Sequence, residues 1–220
     1  MLHHSQRPEI PIIQKKPMSA PSFNQTEHHA AAGVAGHIDR LIVFTGGPGS
    51  GKSTLIDALE QLGHARSEEA GRGIIQDQVA IEGPALPWRD RQVFAEAMLG
   101  WELRSYRLAQ RHTGPVLFDR GVPDVIGYLR LCELPVPDHL RRAAATFRYR
   151  QQVFIAPPWP EIYRHDAERK QSLDEAERTY HAVAQAYRDC GYTLIELPRV
   201  DVAARVRFVL ERIGTARAVI

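Results

Sequence analysis

The sequence predicts a three-layer α/β fold, a parallel sheet with helices on both faces. Two observations carry this expectation. Short, continuous apolar runs recur between residues 40 and 197, as strands buried on both faces require. Between them lie longer segments whose apolar residues return at helical spacing. Strands that alternate with helices imply parallel pairing, because each crossover returns the chain to the same end of the sheet.

The elements follow in order. Leu41-Ile42-Val43-Phe44 is a strand buried on both faces. A glycine loop follows, then Leu55, Ile56, Leu59 and Leu62 at helical spacing, with Gly63 as a stop. Ala65-Arg66-Ser67 is a weaker strand candidate ahead of Glu68 and Glu69. Residues 88–112 read as a long helix with Val93, Phe94, Ala97, Met98 and Trp101 on one stripe. Val116-Leu117-Phe118 is the next buried strand and ends at Asp119. Val153-Phe154-Ile155 is another, closed by Pro157-Pro158. Ser172 and Glu175 form a capping box for a helix over Ala176, Tyr180, Val183, Ala184 and Tyr187, which Gly191 ends. Thr193 to Leu197 is the last strand, closed by Pro198. Asp201 caps a helix whose stripe is Val202, Val206, Val209, Leu210 and Ile213.

The chain of 220 residues suits one such domain with extensions. Residues 1–37 are expected to be a disordered N-terminal tail, with four prolines and the small-residue run Ala30-Ala31-Ala32-Gly33. His3-His4 and His28-His29 read as solvated histidines, since no Cys or carboxylate cluster completes a metal site. Residues 38–220 form the domain, and the charged stretch from about 157 to 172 is its expected lid. A formal net charge of +2 gives no electrostatic case for nucleic acid. No membrane span and no export signal are expected. Cys132 and Cys190, far apart and in no CxxC pair, read as reduced thiols of a cytoplasmic protein. A homodimer is compatible with the sequence.

The chemistry concentrates after the first strand. Gly46-Gly47-Pro48-Gly49-Ser50-Gly51-Lys52-Ser53-Thr54 fits G-x-x-x-x-G-K-[ST], entered by a buried strand and left by an amphipathic helix. Glycines let the backbone turn tightly and let amide N–H groups converge on phosphate oxygens. The helix N-terminus aims its positive dipole end at the same point. Lys52 is expected between the β- and γ-phosphates of ATP, and Ser53 on Mg²⁺.

Asp119 lies at the carboxyl end of a buried strand, where open α/β sheets place ligand-binding groups. It is a second candidate for Mg²⁺, and Arg120 beside it could reach a phosphate. Glu68 and Glu69 follow the weak second strand. Either carboxylate could take a proton from a substrate hydroxyl, with Glu69 the stronger candidate. Arg164 and Arg169, in the lid segment, could close over the triphosphate and neutralise charge on the transferred phosphoryl group.

With GGPGSGKST (46–54), SEEAGR (67–72), LFDRGVPD (117–124), VFIAPPWPEIYRHDAER (153–169) and GYTLIELP (191–198), the chain resembles P-loop NTPases. More narrowly it resembles AAA-type ATPase/kinase domains similar to ribosylnicotinamide kinase and deoxynucleoside kinases. The resemblance implies a nucleoside/nucleotide-kinase-like sheet of five parallel strands with the P-loop strand near its centre. It implies that Asp119-Arg120-Gly121 matches the kinases' DR-type motif and that Glu69 stands where the acceptor-activating carboxylate does. It further implies that Arg164 and Arg169 correspond to lid arginines.

Two functions compete on these residues. One is a kinase that passes the γ-phosphate of Mg-ATP to a small-molecule hydroxyl or phosphate acceptor, with residues 88–112 and 121–134 walling the acceptor pocket. Trp88, Phe94, Trp101 and Tyr128 are aromatic candidates there, although Phe94 and Trp101 read better as core. The other is an ATPase-type regulatory protein whose nucleotide occupancy controls a protein partner.

Overall fold

The computed structural model describes residues 38–162 and 172–214. The tail over 1–37 and its histidine pairs, Arg164 and Arg169, and most of the lid segment lie outside the described residues.

The apolar run at the start of the domain forms β1 (Leu41–Gly46), and the glycine loop leads into α1 (Lys52–Gln61). A three-residue β2 (Ala65–Ser67) follows, then α2 (Ala70–Ala80) and α3 (Arg91–Ala109). Asp90 starts α3 by accepting hydrogen bonds from the amides of Gln92 (3.1 Å) and Val93 (3.0 Å). Next come β3 (Val116–Asp119), α4 (Val122–Leu131), α5 (Asp138–Thr146) and β4 (Gln152–Ala156). A single 3₁₀ turn, Pro160–Ile162, precedes α6 (Leu173–Asp189), β5 (Thr193–Glu196) and α7 (Val202–Ile213). The side-chain oxygens of Ser172 and Asp201 accept from the amides of Glu175 (3.2 Å) and Ala204 (2.8 Å), so both expected caps are made.

The five strands are parallel, in the order β2-β3-β1-β4-β5. The P-loop strand is therefore central, with strands built later in the chain on either side. Alternate residues of β1 serve opposite layers. Ile42 and Phe44 pack with Leu55, Ile56 and Leu59 of α1 and Val209 of α7. Leu41 and Val43 pack with Leu99 of α3, Val125 and Leu129 of α4, and Leu140 of α5. Burial on both faces is why these strands read as unbroken apolar runs.

Three helices, α2, α4 and α5, go beyond the sequence expectation, although α5 carries Leu140, Ala143 and Ala144 at helical spacing on its buried face. In α4 nearly every residue from Val122 to Leu129 is buried, so no polar face marks its period. The expected stripe of α3 is also shifted. Val93 is 41% exposed, while Phe94, Ala95, Leu99, Glu102 and Tyr106 are buried. Ala97, Met98 and Trp101 are half-buried because that flank packs on α2 rather than on the sheet. Trp88 is exposed, and Phe94 meets Tyr128 edge-on with ring centroids 5.4 Å apart. Among the described residues no helix is long and apolar enough to cross a membrane.

Candidate active site

The site is built at the carboxyl ends of β1, β2 and β3, beside the point where the chain changes its direction of travel across the sheet. Gly46 ends β1 with φ of 126°, a conformation open to glycine. A Cβ there would stand 2.4 Å from the carbonyl oxygen of Ala156 in β4, so only hydrogen lets the loop leave the sheet this way. Ser50 closes the loop by donating to the Gly47 carbonyl (2.8 Å). Helix α1 starts from Gly51 in the left-handed region, and its first turn leaves amide N–H groups without intrahelical partners. Ser53 and Thr54 are exposed on that turn.

Lys52 is 6% exposed, and its Nζ donates to the carbonyls of Gly47 (2.9 Å) and Gly46 (3.2 Å). Burial, reinforced by the nearby Arg120 charge, lowers its pKa from 10.5 to about 8. Asp119, Glu69 and Asp124 pull the other way without cancelling the cost of burial, a cost that a bound anion would offset.

Asp119 pairs in register with Phe44 of β1. It is 6% exposed, and its Oδ1 has no hydrogen-bond partner among the described residues. Burial raises its pKa against the pull of Lys52. An orphaned carboxylate oxygen suits a hard divalent cation or a water bound to one. Among the described residues no group of three or more Asp, Glu, His or Cys could hold a metal by itself. A Mg²⁺ ion held here by Ser53 and Asp119 would therefore share its coordination with phosphate oxygens, as Mg²⁺ commonly does.

Arg120 links the strands. Its φ is 84°, strained for a residue with a side chain, and its amide donates to the Phe44 carbonyl (2.9 Å). Its guanidinium donates to Glu69 Oε1 (3.1 Å), Asp124 Oδ1 (3.2 Å) and the Gly46 carbonyl (3.2 Å). Burial alone would lower its pKa, but Glu69, Asp124 and Asp119 raise it, so it stays charged. Burial pushes Glu69 up, yet Arg120 and Lys52 outweigh this and hold it below the usual carboxylate range. Glu69, at the N-cap of α2, is half-buried in this cluster, whereas Glu68 beside it is exposed.

The structure thus brings Lys52, Glu69, Asp119 and Arg120 together at the loop. Arg164 and Arg169 lie outside the described residues. Three charged residues escaped sequence reasoning. Asp124 in α4 accepts from Thr45 (2.6 Å), Tyr187 (2.6 Å), the Gly121 amide (3.0 Å) and Arg120. Arg205 in α7 is 2% exposed and donates to the carbonyls of Ser50 and Gly51, both at 3.3 Å. Glu102 in α3 is 3% exposed. The latter two sit inside apolar stripes, Arg205 between Val202 and Val209 and Glu102 between Leu99 and Tyr106, and that interruption was the available signal.

Comparison with known proteins bears on the fold. No curated protein matches the chain. Among solved structures, a deoxyadenosine kinase from M. mycoides, with products dCMP and dCDP bound, superposes with a TM-score of 0.60 at 13% identity, over 80% of this chain and 99% of that one. A NadR protein in complex with NR gives a TM-score of 0.63 at 19% identity, over 82% of this chain but only 53% of that one, so this chain spans about half of it. Thymidylate kinase from Ehrlichia chaffeensis gives 0.54 at 14% identity, over 78% and 97%. At these identities the likeness is one of fold, the P-loop fold of nucleoside and nucleotide kinases. The model of the AAA domain family matches residues 41–205, most of the chain, and the protein belongs to that family.

Proposed function

We propose that the protein is an ATP-dependent kinase that transfers the γ-phosphoryl group of Mg-ATP to a small-molecule hydroxyl or phosphate acceptor. The observation that carries this reading is the meeting of Lys52, Asp119, Glu69 and Arg120 at one loop, with two carboxylates in contrasting states. A protein that only held nucleotide would need the lysine and the loop. It would not need an ionised carboxylate held by arginine beside them.

In this reading the loop amides and Lys52 bind the β- and γ-phosphates, and Lys52 offsets negative charge that develops on them. Ser53 and Asp119 hold Mg²⁺, whose positive charge supplies further neutralisation of the triphosphate. For a hydroxyl acceptor, Glu69 aligns the O–H. The acceptor oxygen attacks the γ-phosphorus, the bond to the β–γ bridging oxygen breaks, ADP leaves with that electron pair, and the proton passes to Glu69. Arg120 fixes Glu69 through Oε1 and leaves Oε2 for the acceptor. Arg164 and Arg169 are proposed as cations that close over the phosphates.

The test is ATP consumption with magnesium across nucleosides, nucleotides and vitamin-like alcohols. The kinase reading expects ADP and phosphorylated acceptor in equal amounts for a subset of them. ADP release at one rate with every acceptor and with none overturns it in favour of a nucleotide-controlled binding protein. Glu69→Gln is expected to cut transfer by about a hundredfold or more while sparing ATP binding, and unchanged turnover removes Glu69 from the mechanism.

A further inference from the structure

Helix α6 aims a phenol at the charged cluster. Tyr187 is fully buried, and its ring meets Tyr192 edge-on with centroids 5.5 Å apart. Its hydroxyl donates to Asp124 Oδ2 over 2.6 Å. A Cβ on Gly121 would stand 3.1 Å from that hydroxyl, so the oxygen also lies against the turn between Arg120 and α4. Burial pushes the phenol well above its ordinary pKa, which keeps it a donor. A phenylalanine would fill the same core without a polar atom to satisfy, so this hydroxyl answers to Asp124 rather than to packing.

The helix that carries it is held along one face. At its first turn the Ala176 carbonyl lies on the phosphate loop, where a Cβ on Gly47 would be 2.4 Å from its oxygen. Two turns on, Val183 lies against Gly127 of α4. Tyr187 follows one turn later, on the same face. Backbone contacts to the loop and to α4 therefore set the place of the hydroxyl.

The bonds around Asp124 show what the hydroxyl does. Oδ2 accepts from Tyr187 and from the Gly121 amide (3.0 Å). Oδ1 accepts from Thr45 (2.6 Å) and from Arg120 Nη1 (3.2 Å). Tyr187 fixes the far oxygen and, through the carboxylate plane, the near one that meets the guanidinium. Arg120 divides its donors: Nη1 goes to Asp124 and the Gly46 carbonyl, and Nε goes to Glu69 Oε1. With Asp124 free to turn, the guanidinium would be free to swing toward Glu69 and take both its oxygens, the paired geometry that arginine and carboxylate favour. Glu69 would then have no oxygen left for an acceptor proton.

We infer that Tyr187 is a positioning residue of phosphoryl transfer, its hydroxyl holding Asp124 so that Arg120 engages one oxygen of Glu69 and leaves the other for the acceptor. This rests on the kinase reading and extends it to a buried residue of α6 that acts only through Asp124 and Arg120.

A double-mutant cycle tests it, with an acceptor that the wild-type chain phosphorylates among nucleosides, nucleotides and vitamin-like alcohols. Tyr187→Phe is expected to lower kcat about tenfold, with the KM for ATP within about twofold of wild type. In a Glu69→Gln background the same substitution is expected to change kcat by less than about twofold, because the group it positions is already disabled. Tyr192→Phe is the control. Tyr192 is buried beside Tyr187, but its hydroxyl accepts from the Tyr149 amide (3.2 Å), outside the set of donors to Asp124. This control is expected to lower the thermal midpoint as Tyr187→Phe does, with kcat within about twofold of wild type. The same fold loss from Tyr187→Phe with and without the Glu69 carboxylate, or an equal loss in Tyr192→Phe, assigns Tyr187 to packing alone and overturns the inference while the kinase reading stands. Unchanged kcat in Tyr187→Phe does the same. A wild-type chain that phosphorylates no acceptor overturns both readings together.

Discussion

At the scale of single residues, Lys52 shows how a binding group opposes the stability of the fold that holds it. Its pKa falls from 10.5 to about 8 on folding. Between those values the unfolded chain binds more protons than the folded one, so this residue makes stability rise with pH across that window. Below about pH 8 the full penalty is present, roughly 3 kcal/mol from the size of the shift. Lys52→Met removes the penalty and also two bonds from a charged donor to the Gly46 and Gly47 carbonyls, each worth about 1.5–3 kcal/mol, so the two effects offset at pH 7. The pH dependence separates them: relative to wild type in urea, we expect the variant to lose about 3 kcal/mol between pH 8 and 10.5, as the wild-type penalty is relieved. The same variant should show no stabilisation by ATP. A stability difference that stays constant across that pH window would contradict the burial argument. Residues of this kind were legible because loop position marks them: Lys52 closes a glycine pattern, and Asp119, Arg120 and Glu69 follow strand ends. Asp124 was not, because a charge on a helix ordinarily faces water, and Glu102 and Arg205 left only the weak mark of a charge interrupting an apolar stripe.

At the scale of elements, α4 organises the cluster. Its third residue, Asp124, receives bonds from β1 through Thr45, from α6 through Tyr187, and from Arg120 and the Gly121 amide at its own start. One carboxylate therefore ties a strand and two helices together and orients the guanidinium that holds Glu69. Asp124→Ala leaves Arg120 and two hydroxyls facing a hole, and we expect a loss of about 3–5 kcal/mol in denaturant unfolding. Asp124→Asn keeps the shape and should cost less, yet still lower kcat, since Arg120 loses one of its two carboxylates. Further along the helix, Gly127 lets α4 approach α6 so closely that a Cβ would lie 2.9 Å from the Cα of Val183. Gly127→Ala must push backbone rather than a flexible side chain, and a destabilisation of about 1–3 kcal/mol is expected by the same measurement. A neutral or stabilising result would show that the two helices have room to part. The strands were readable in advance because double-sided burial writes unbroken apolar runs. Helix α4 was not, because burial on all sides erases its period, and it contains Pro123 and Gly127, residue types that ordinarily mark turns, although here one starts the helix and the other is its contact point.

At the scale of the whole molecule, the first loop of the domain depends on its last helix. Arg205 of α7 lies more than 150 residues after the P-loop, yet its guanidinium donates to the carbonyls of Ser50 and Gly51. A Cβ on Gly51 would come within 2.8 Å of Arg205 Nη1, so loop and side chain are fitted to each other. Binding these carbonyls holds the two peptide planes of the loop in place; it gives the Ser50 carbonyl a partner, while the Gly51 carbonyl also accepts from the Leu55 amide (3.3 Å). The guanidinium is not balanced by any carboxylate among the described residues, and burial lowers its pKa. Its positive charge behind the loop therefore adds to the field that a polyphosphate meets, alongside Lys52 and the N-terminus of α1. Two contributions separate by substitution. Arg205→Lys keeps the charge and loses the forked geometry, whereas Arg205→Met loses both. We expect ATP affinity, read by calorimetry, to fall about threefold in the first and about thirtyfold in the second, with α7 still docked through Val209 against the α1 face of the sheet. If both variants bind ATP as wild type does, the loop holds its shape without α7, and the last helix serves the core alone.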